Sequence, residues 1–201
     1  MAADWQTVAK ARTDFADMLD TLTDEQLATQ SLCELWSVAD VAGHLTSLVE
    51  TSVVSLVIGT VKNGGDFDAF AASTAPTFAE KGPKALSASL RSNASKKMPF
   101  FSEASMVADT AVHTQDVRRP LGLPANLDPQ VLQVSLDYSV GEFAKKRKDA
   151  AAPKFQAIDM DWSWGDGPEI KGTGEALLMA LNDRDVAAEL TGDGLSLLKT
   201  P

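Results

Sequence analysis

Ser37-Val38-Ala39-Asp40-Val41-Ala42-Gly43-His44-Leu45-Thr46-Ser47-Leu48 is the stretch that decides the fold of this chain. Ser37 followed three residues later by Asp40 forms a capping box, the pattern that satisfies free amides at a helix start. Val38, Val41, Leu45, Leu48 and Ser52 then form one apolar stripe at helical spacing. The pattern predicts a long helix reaching about Gly59, and Asn63-Gly64-Gly65 ends the segment. His44 falls one turn after Val41 and one turn before Leu48, on or beside the buried stripe.

The same periodicity extends in both directions. Upstream, Trp5, Val8, Arg12, Phe15, Leu19 and Leu22 step by three and four, with Arg12 placed along the edge of that face. Thr23-Asp24-Glu25-Gln26 is a further capping box, and Ser31 to Trp36 reads as a connector, with Trp36 as a core anchor. Downstream, residues 66–81 are compatible with helix, and Pro83 suits the first turn of another that carries Leu86, Leu90 and Ala94 and is broken by Pro99. A helix from about Ser102 to Arg118 carries the stripe Met106, Asp109, Thr110, His113 and Val117. Asp128-Pro129 opens one more, reaching about Ala151, whose end is crowded by Lys145, Lys146, Arg147 and Lys148 as a solvated, dipole-complementing cluster.

Beyond residue 152 the pattern changes. Ile158, Met160, Trp162 and Trp164 share one parity, Gly165-Asp166-Gly167 is a turn, and Glu169-Ile170-Lys171 is a return strand. Glu175–Leu181 is a short helix. The fold class read here is mostly α, with a helical bundle over 1–151 and a small α+β piece, a hairpin plus a helix, over 152–201. A lone hairpin is marginal in water, so this piece is expected to dock on the bundle.

Composition narrows the functions. The 201 residues hold 18 basic and 28 acidic side chains, a net charge of −10. That excess of acid argues against nucleic acid and against an anionic membrane surface. No apolar run approaches the ~18–20 residues of a membrane span. The start of the chain has no basic stretch followed by an apolar block, so no signal peptide is read. Cys33 is the single cysteine, which fits a reduced, cytoplasmic setting.

Only two histidines occur, and both fall on predicted buried faces. Asp109 and His113 are four apart, on one side of their helix. With His44 from another core-facing helix they form a His₂-carboxylate set of the kind that leaves coordination positions open on a catalytic metal. The spacing alone leaves a second reading open. In it His44 bonds a carbonyl, Asp109 pairs with His113, and the core is self-satisfied. Asp40 is read as the structural member of its capping box. Cys33 has no base nearby in the sequence and is read as an inert small residue. Asp116, three residues after His113, is placed to support a ligating imidazole. Arg118 and Arg119 are candidate carboxylate anchors, although a continuous helix turns them about 140° and 120° away from His113.

Ser31-Leu32-Cys33-Glu34-Leu35-Trp36-Ser37-Val38-Ala39-Asp40-Val41-Ala42-Gly43-His44-Leu45 resembles the S-L-C-x-x-W-[ST]-V-x-D-[VL]-x-x-H-L segment of the mycothiol-dependent maleylpyruvate isomerase family. His113-Thr114-Gln115-Asp116-Val117-Arg118-Arg119-Pro120-Leu121-Gly122 is similar to its H-x-x-D-[IV]-R-R-P-L-G segment. Gly174 to Leu181 and the Gly192-Asp193-Gly194 turn resemble its C-terminal helix and final turn. The acidic ligand position is Glu in the family and Asp109 here, one methylene shorter. The family's Pro-Gly before the tryptophan is replaced by Glu34-Leu35.

The resemblance implies a DinB-like four-helix bundle with a small α+β appendage. It implies a divalent metal, zinc first with nickel or iron as alternatives, held by His44, Asp109 and His113. It also implies mycothiol as a thiol cosubstrate. The thiolate would add to the double bond of a small unsaturated acid, and rotation and elimination would give the trans isomer. Asp116, Arg118 and Arg119 are the candidate catalytic residues. Two alternatives stand beside this reading: another hydrolytic or thiol-transfer reaction on the same site, and a non-enzymatic ligand-binding or regulatory bundle with a residual metal site. The chain is expected to act as a monomer or homodimer.

Overall fold

The computed structural model describes residues 3–98, 100–124, 127–146 and 152–198. Helix α1 (Trp5–Leu19) starts at Asp4, whose carboxylate accepts the Thr7 amide at 2.8 Å. It buries Val8, Phe15 and Leu19 as the periodicity requires; each fully buried apolar side chain of this kind contributes about 1.5–3 kcal/mol. Arg12 is not at the edge. It is 4% exposed, and its Nη1 donates to the carbonyls of Ala94 at 2.8 Å and Lys96 at 2.9 Å. The guanidinium thereby bonds carbonyls of the segment that follows α6, which offsets its burial.

Helix α2 (Asp24–Leu27) and helix α3 (Val38–Glu50) both open with complete capping boxes, at Thr23/Gln26 and Ser37/Asp40. The long helix predicted to Gly59 is two helices. Thr51 turns extended and Ser52 accepts the Ser55 amide at 3.1 Å, starting α4 (Val53–Lys62). Of α4 only Leu56 is buried, so the stripe of α3 does not continue into it.

Helix α3 runs against α5 (Phe67–Ala79) and α6 (Pro83–Ser92). The first of these contacts is close enough to require glycine. A Cβ on Gly43 would lie 2.2 Å from the Ala75 carbonyl oxygen and 2.8 Å from the Ala79 nitrogen. Helix α6 ends at Ser92, before Pro99, which lies outside the described residues. Helices α7 (Glu103–Arg118) and α8 (Pro129–Lys146) complete the bundle, α7 packing on α1, α3 and α8. Asp128 accepts the Gln130 amide at 2.9 Å at the start of α8. The last turn predicted to Ala151, with Arg147 and Lys148, falls outside the described residues.

The C-terminal piece holds β1 (Lys154–Ala157), β2 (Ser163–Trp164), β3 (Glu169–Gly172) and α9 (Gly174–Leu181). The predicted hairpin across Gly165–Gly167 is replaced by a three-stranded sheet in the order β2-β1-β3. Its hairpin is β1 with β2, Phe155 opposite Trp164, and β3 lies parallel to β1 with Ile170 opposite Phe155. The cause is a turn over residues 158–162 that resets the alternation. Phe155 and Ala157 face the core, whereas Ile158 is 68% exposed. Helix α9 is buried along its whole length and packs on α8 and α7. Trp162 Nε1 donates to Asp137 of α8 at 2.9 Å, tying the sheet to the bundle. Among the described residues no helix is long and apolar enough to cross a membrane.

Candidate metal centre

The capping box at Ser37 fixes where α3 begins, and the glycine contact at Gly43 draws α3 inward beside the next residue, His44. His44 is 4% exposed. Its Nε2 lies 3.8 Å from Asp109 Oδ1, and His113 Nε2 lies 3.6 Å from the same oxygen. The ligand atoms of the three residues fall within 4.8 Å of one another. Trp36 stacks on the His44 ring at 4.8 Å and 30°, and the two imidazoles meet edge-on at 4.8 Å. The connector residue expected to anchor the core is therefore a wall of this cluster.

The chain leaves the cluster unfinished. Both ring nitrogens of His44 and Oδ2 of Asp109 are buried without a hydrogen-bond partner. Leaving such a group unpaired costs about 1–3 kcal/mol. Of the two contacts of a self-satisfied core, the His44–carbonyl bond is absent, and Asp109 pairs with His113 at 3.6 Å as an ion pair without a hydrogen bond. Two imidazole nitrogens and a carboxylate oxygen suit zinc, and also nickel or iron, so the residues fit a divalent cation. Burial alone would raise the Asp109 carboxyl. The two histidines and Arg12 outweigh it and hold the group below its ordinary value. Burial pushes the Arg12 guanidinium down to about 10, so it remains a cation facing that carboxylate.

The other edge of His113 is fully bonded. Its Nδ1 lies 3.0 Å from Asp116 Oδ2, and Asp116 is 0% exposed. Arg184 forks onto Asp116, Nε to Oδ1 at 2.9 Å and Nη2 to Oδ2 at 2.8 Å. The Cys33 thiol donates to Asp116 Oδ2 at 3.1 Å and sits 3.7 Å from His113 Nδ1. Cys33, His113 and Asp116 thus form a second trio within ligating distance, but the guanidinium already supplies its cation. Burial disfavours charge on His113, yet Asp116, Cys33 and Asp109 outweigh it and push the imidazole up to about 10. Burial likewise opposes the Asp116 charge, and His113 and Arg184 hold the carboxyl far below its usual range.

Asp116 stands where its spacing predicts, against His113. The fold does not bring Arg118 or Arg119 to the cluster. Arg118 donates to the Pro124 carbonyl at 2.9 Å, and Arg119 bonds Gln115 and Glu189. Asp40 accepts the Ser37 amide at 2.8 Å, completing its capping box. Sequence reasoning missed Arg184, which lies 68 positions from Asp116 and carries no local signal. It also read Cys33 as remote from any base, and the fold sets it beside one.

A cavity of about 500 Å³ opens over Asp109 and His113, with Phe67, Phe101, Tyr138 and Arg184 in its walls. His44 lies behind these residues, 4% exposed. A larger cavity, about 650 Å³, lies along α1 and α7 and includes Lys10, Arg118 and Asp128. It holds no histidine, whereas the smaller one is lined by Asp109 and His113 of the candidate metal cluster.

A helical bundle with a histidine from α3 and an acid-histidine pair from α7, capped by a small sheet and helix, defines the class. Residues 8–95 match the family model of the mycothiol maleylpyruvate isomerase N-terminal domain. The match includes His44, and Asp109 and His113 lie beyond it. A crystal structure of the mycothiol-dependent maleylpyruvate isomerase shares the fold, with a TM-score of 0.51, 11% identity, and coverage of 98% of this chain and 93% of that one. A mutant of that isomerase aligns over the same shares at 13% identity with a TM-score of 0.49. No curated protein matches the chain.

Proposed function

We propose that this chain is a divalent-metal-dependent enzyme that uses mycothiol as cosubstrate, isomerising a small unsaturated acid or transferring the thiol to a related electrophile. The observation that carries the reading is the cluster of orphaned atoms on His44 and Asp109, at the base of a cavity that reaches His113. His44, Asp109 and His113 would hold the metal. When bound there, a divalent ion supplies Lewis acidity and keeps a coordinated thiol deprotonated. Asp116 holds His113 by Nδ1 and so aims Nε2 at Asp109. Phe67 and Phe101 restrict water at the apolar wall, their rings 5.4 Å apart. Arg184 stands in the cavity wall with its guanidinium already paired to Asp116. The reading includes a cytoplasmic setting, where the thiol and Cys33 stay reduced.

The test is elemental analysis of protein purified without added ions, followed by incubation with mycothiol and maleylpyruvate. Zinc, nickel or iron near one per chain, with isomerisation that requires the thiol and disappears in His44→Ala, is the expected result. Trace metal with no stabilisation by added zinc overturns the metal centre. Full metal without thiol-dependent turnover of any unsaturated acid leaves a binding protein in place of an enzyme.

A further inference from the structure

Three groups form a hydrogen-bonded chain, Arg184 to Asp116 through two bonds and Asp116 to His113 Nδ1 at 3.0 Å, and His113 Nε2 faces Asp109 at 3.6 Å as an ion pair. Arg184 is the one member outside the bundle. It follows α9 in the C-terminal piece, where its Nη1 donates to the Asn182 carbonyl at 2.9 Å. Asn182 in turn donates to Ser139 of α8 at 2.9 Å. The guanidinium is therefore anchored at its own end before it grips Asp116.

We propose that Arg184 is a positioning residue for the metal centre: by clamping both oxygens of Asp116 it fixes the His113 ring so that Nδ1 carries its proton and Nε2 is turned to the metal. This inference rests on the proposed metal centre.

Three features support the assignment. A carboxylate gripped at both oxygens by a planar fork cannot rotate, whereas a point charge would leave it free. With Asp116 fixed, its Oδ2 accepts from Nδ1 of His113, so the lone pair available for a ligand is on Nε2. The Cys33 thiol donates to that same oxygen at 3.1 Å, which leaves Asp116 no free direction in which to swing. Partners of a ligating histidine in this position tune metal affinity by about 10–100-fold. The C-terminal piece is on this account part of the centre and not only its cover.

The experiment measures zinc affinity by chelator competition for the full-length protein and for Arg184→Met, Arg184→Lys, Asp116→Asn and the Arg184→Met/Asp116→Asn double variant. Alongside it, the solvent exchange of the His113 Nδ1 proton is followed by nitrogen-edited NMR in metal-free protein. Arg184→Met should bind zinc about 10–100-fold more weakly, and Arg184→Lys should fall between it and the parent. The double variant should be within about twofold of the worse single one, because both changes break one chain. The Nδ1 proton should exchange faster in Arg184→Met. Zinc affinity and proton protection equal to the parent in Arg184→Met overturn the assignment, as do losses that multiply in the double variant. If Arg184→Met fails to fold, Arg184→Lys carries the same comparison. If the parent protein takes up no zinc, the metal centre fails, and the exchange of the Nδ1 proton still decides the role of Arg184.

Discussion

On its Nδ1 side His113 meets Asp116 at 3.0 Å, and Asp116 meets Arg184 twice and Cys33 once. On its Nε2 side it meets Asp109 at 3.6 Å, and beyond that oxygen His44 stands at 3.8 Å with neither nitrogen bonded. Each side pairs one carboxylate with imidazole. The first is closed by a cation that the chain itself supplies, and its polar atoms are bonded. The second has the His113 imidazole and Arg12 acting on Asp109 without a hydrogen bond, and both His44 nitrogens and Asp109 Oδ2 are orphaned. A buried acid-histidine pair is thus not by itself a metal site. What distinguishes the candidate site is its set of buried polar atoms without hydrogen-bond partners.

The largest effects should separate the two sides by what they damage. Asp116→Ala strips a fully buried carboxylate from both Arg184 and His113. Breaking a buried pair in this way costs about 3–5 kcal/mol, and the partial exposure of Arg184, 25%, puts the loss at the lower end. Asp109→Ala removes a carboxylate that has no direct hydrogen bond, so metal-free stability should fall by less than about 1 kcal/mol, while zinc uptake drops to trace. Urea unfolding of metal-free protein and elemental analysis of both variants decide it. Equal losses of stability, or zinc retained in Asp109→Ala, would break the comparison.

Acidity should read the same contrast in opposite directions. The Asp116 carboxyl titrates below its unfolded value of 3.8, so its contribution is complete above that value and disappears as pH falls through the lower folded one. The His113 imidazole is raised from 6.5 to about 10, so its contribution is complete below 6.5 and disappears as pH rises towards 10. Metal-free protein should therefore lose stability from pH 6.5 upward. Zinc must displace the proton on Nε2, so its affinity should rise over that same window. Urea midpoints and chelator competition at a series of pH values give both slopes. Slopes of the same sign would show that the metal does not compete with this proton.

Much of this was legible in the chain itself. The capping boxes at Thr23 and Ser37, the α1 and α7 stripes and the three-residue step from His113 to Asp116 are local patterns, and the structure reproduces them. The break at Thr51 was not read, because Ser52 sits in phase with the α3 stripe and looks like its continuation instead of the cap of α4. Arg12 was misplaced because a charged residue on an apolar face suggests an edge; the carbonyls of Ala94 and Lys96, which make its burial tolerable, come from the segment that follows α6. The sheet was misread because alternation was carried through the turn at 158–162. Arg184 and the setting of Cys33 depend on contacts between segments far apart in the chain, which periodicity does not encode.

The smallest effects belong to the arginines that the sequence offered as anchors. Arg118 reaches the Pro124 carbonyl, a single bond whose net contribution is about 0.5–1.5 kcal/mol. Arg119 pairs with the exposed Glu189, an interaction of about 0–1 kcal/mol. Neither is among the residues lining the Asp109–His113 cavity, so Arg118→Ala and Arg119→Ala should keep zinc affinity and thiol-dependent turnover within about twofold of the parent. Melting temperature, zinc competition and turnover, measured together, separate the possibilities. A tenfold loss of turnover in Arg118→Ala with zinc affinity intact would point to the larger cavity, where Arg118 lies with Lys10 and Asp128, as the place where substrate is held. Chemistry at His113 would then have to reach a molecule on the opposite side of α7. Ala111 and Thr114, the α7 residues nearest His113 in sequence along that cavity, are themselves packed into the bundle, which argues against that path.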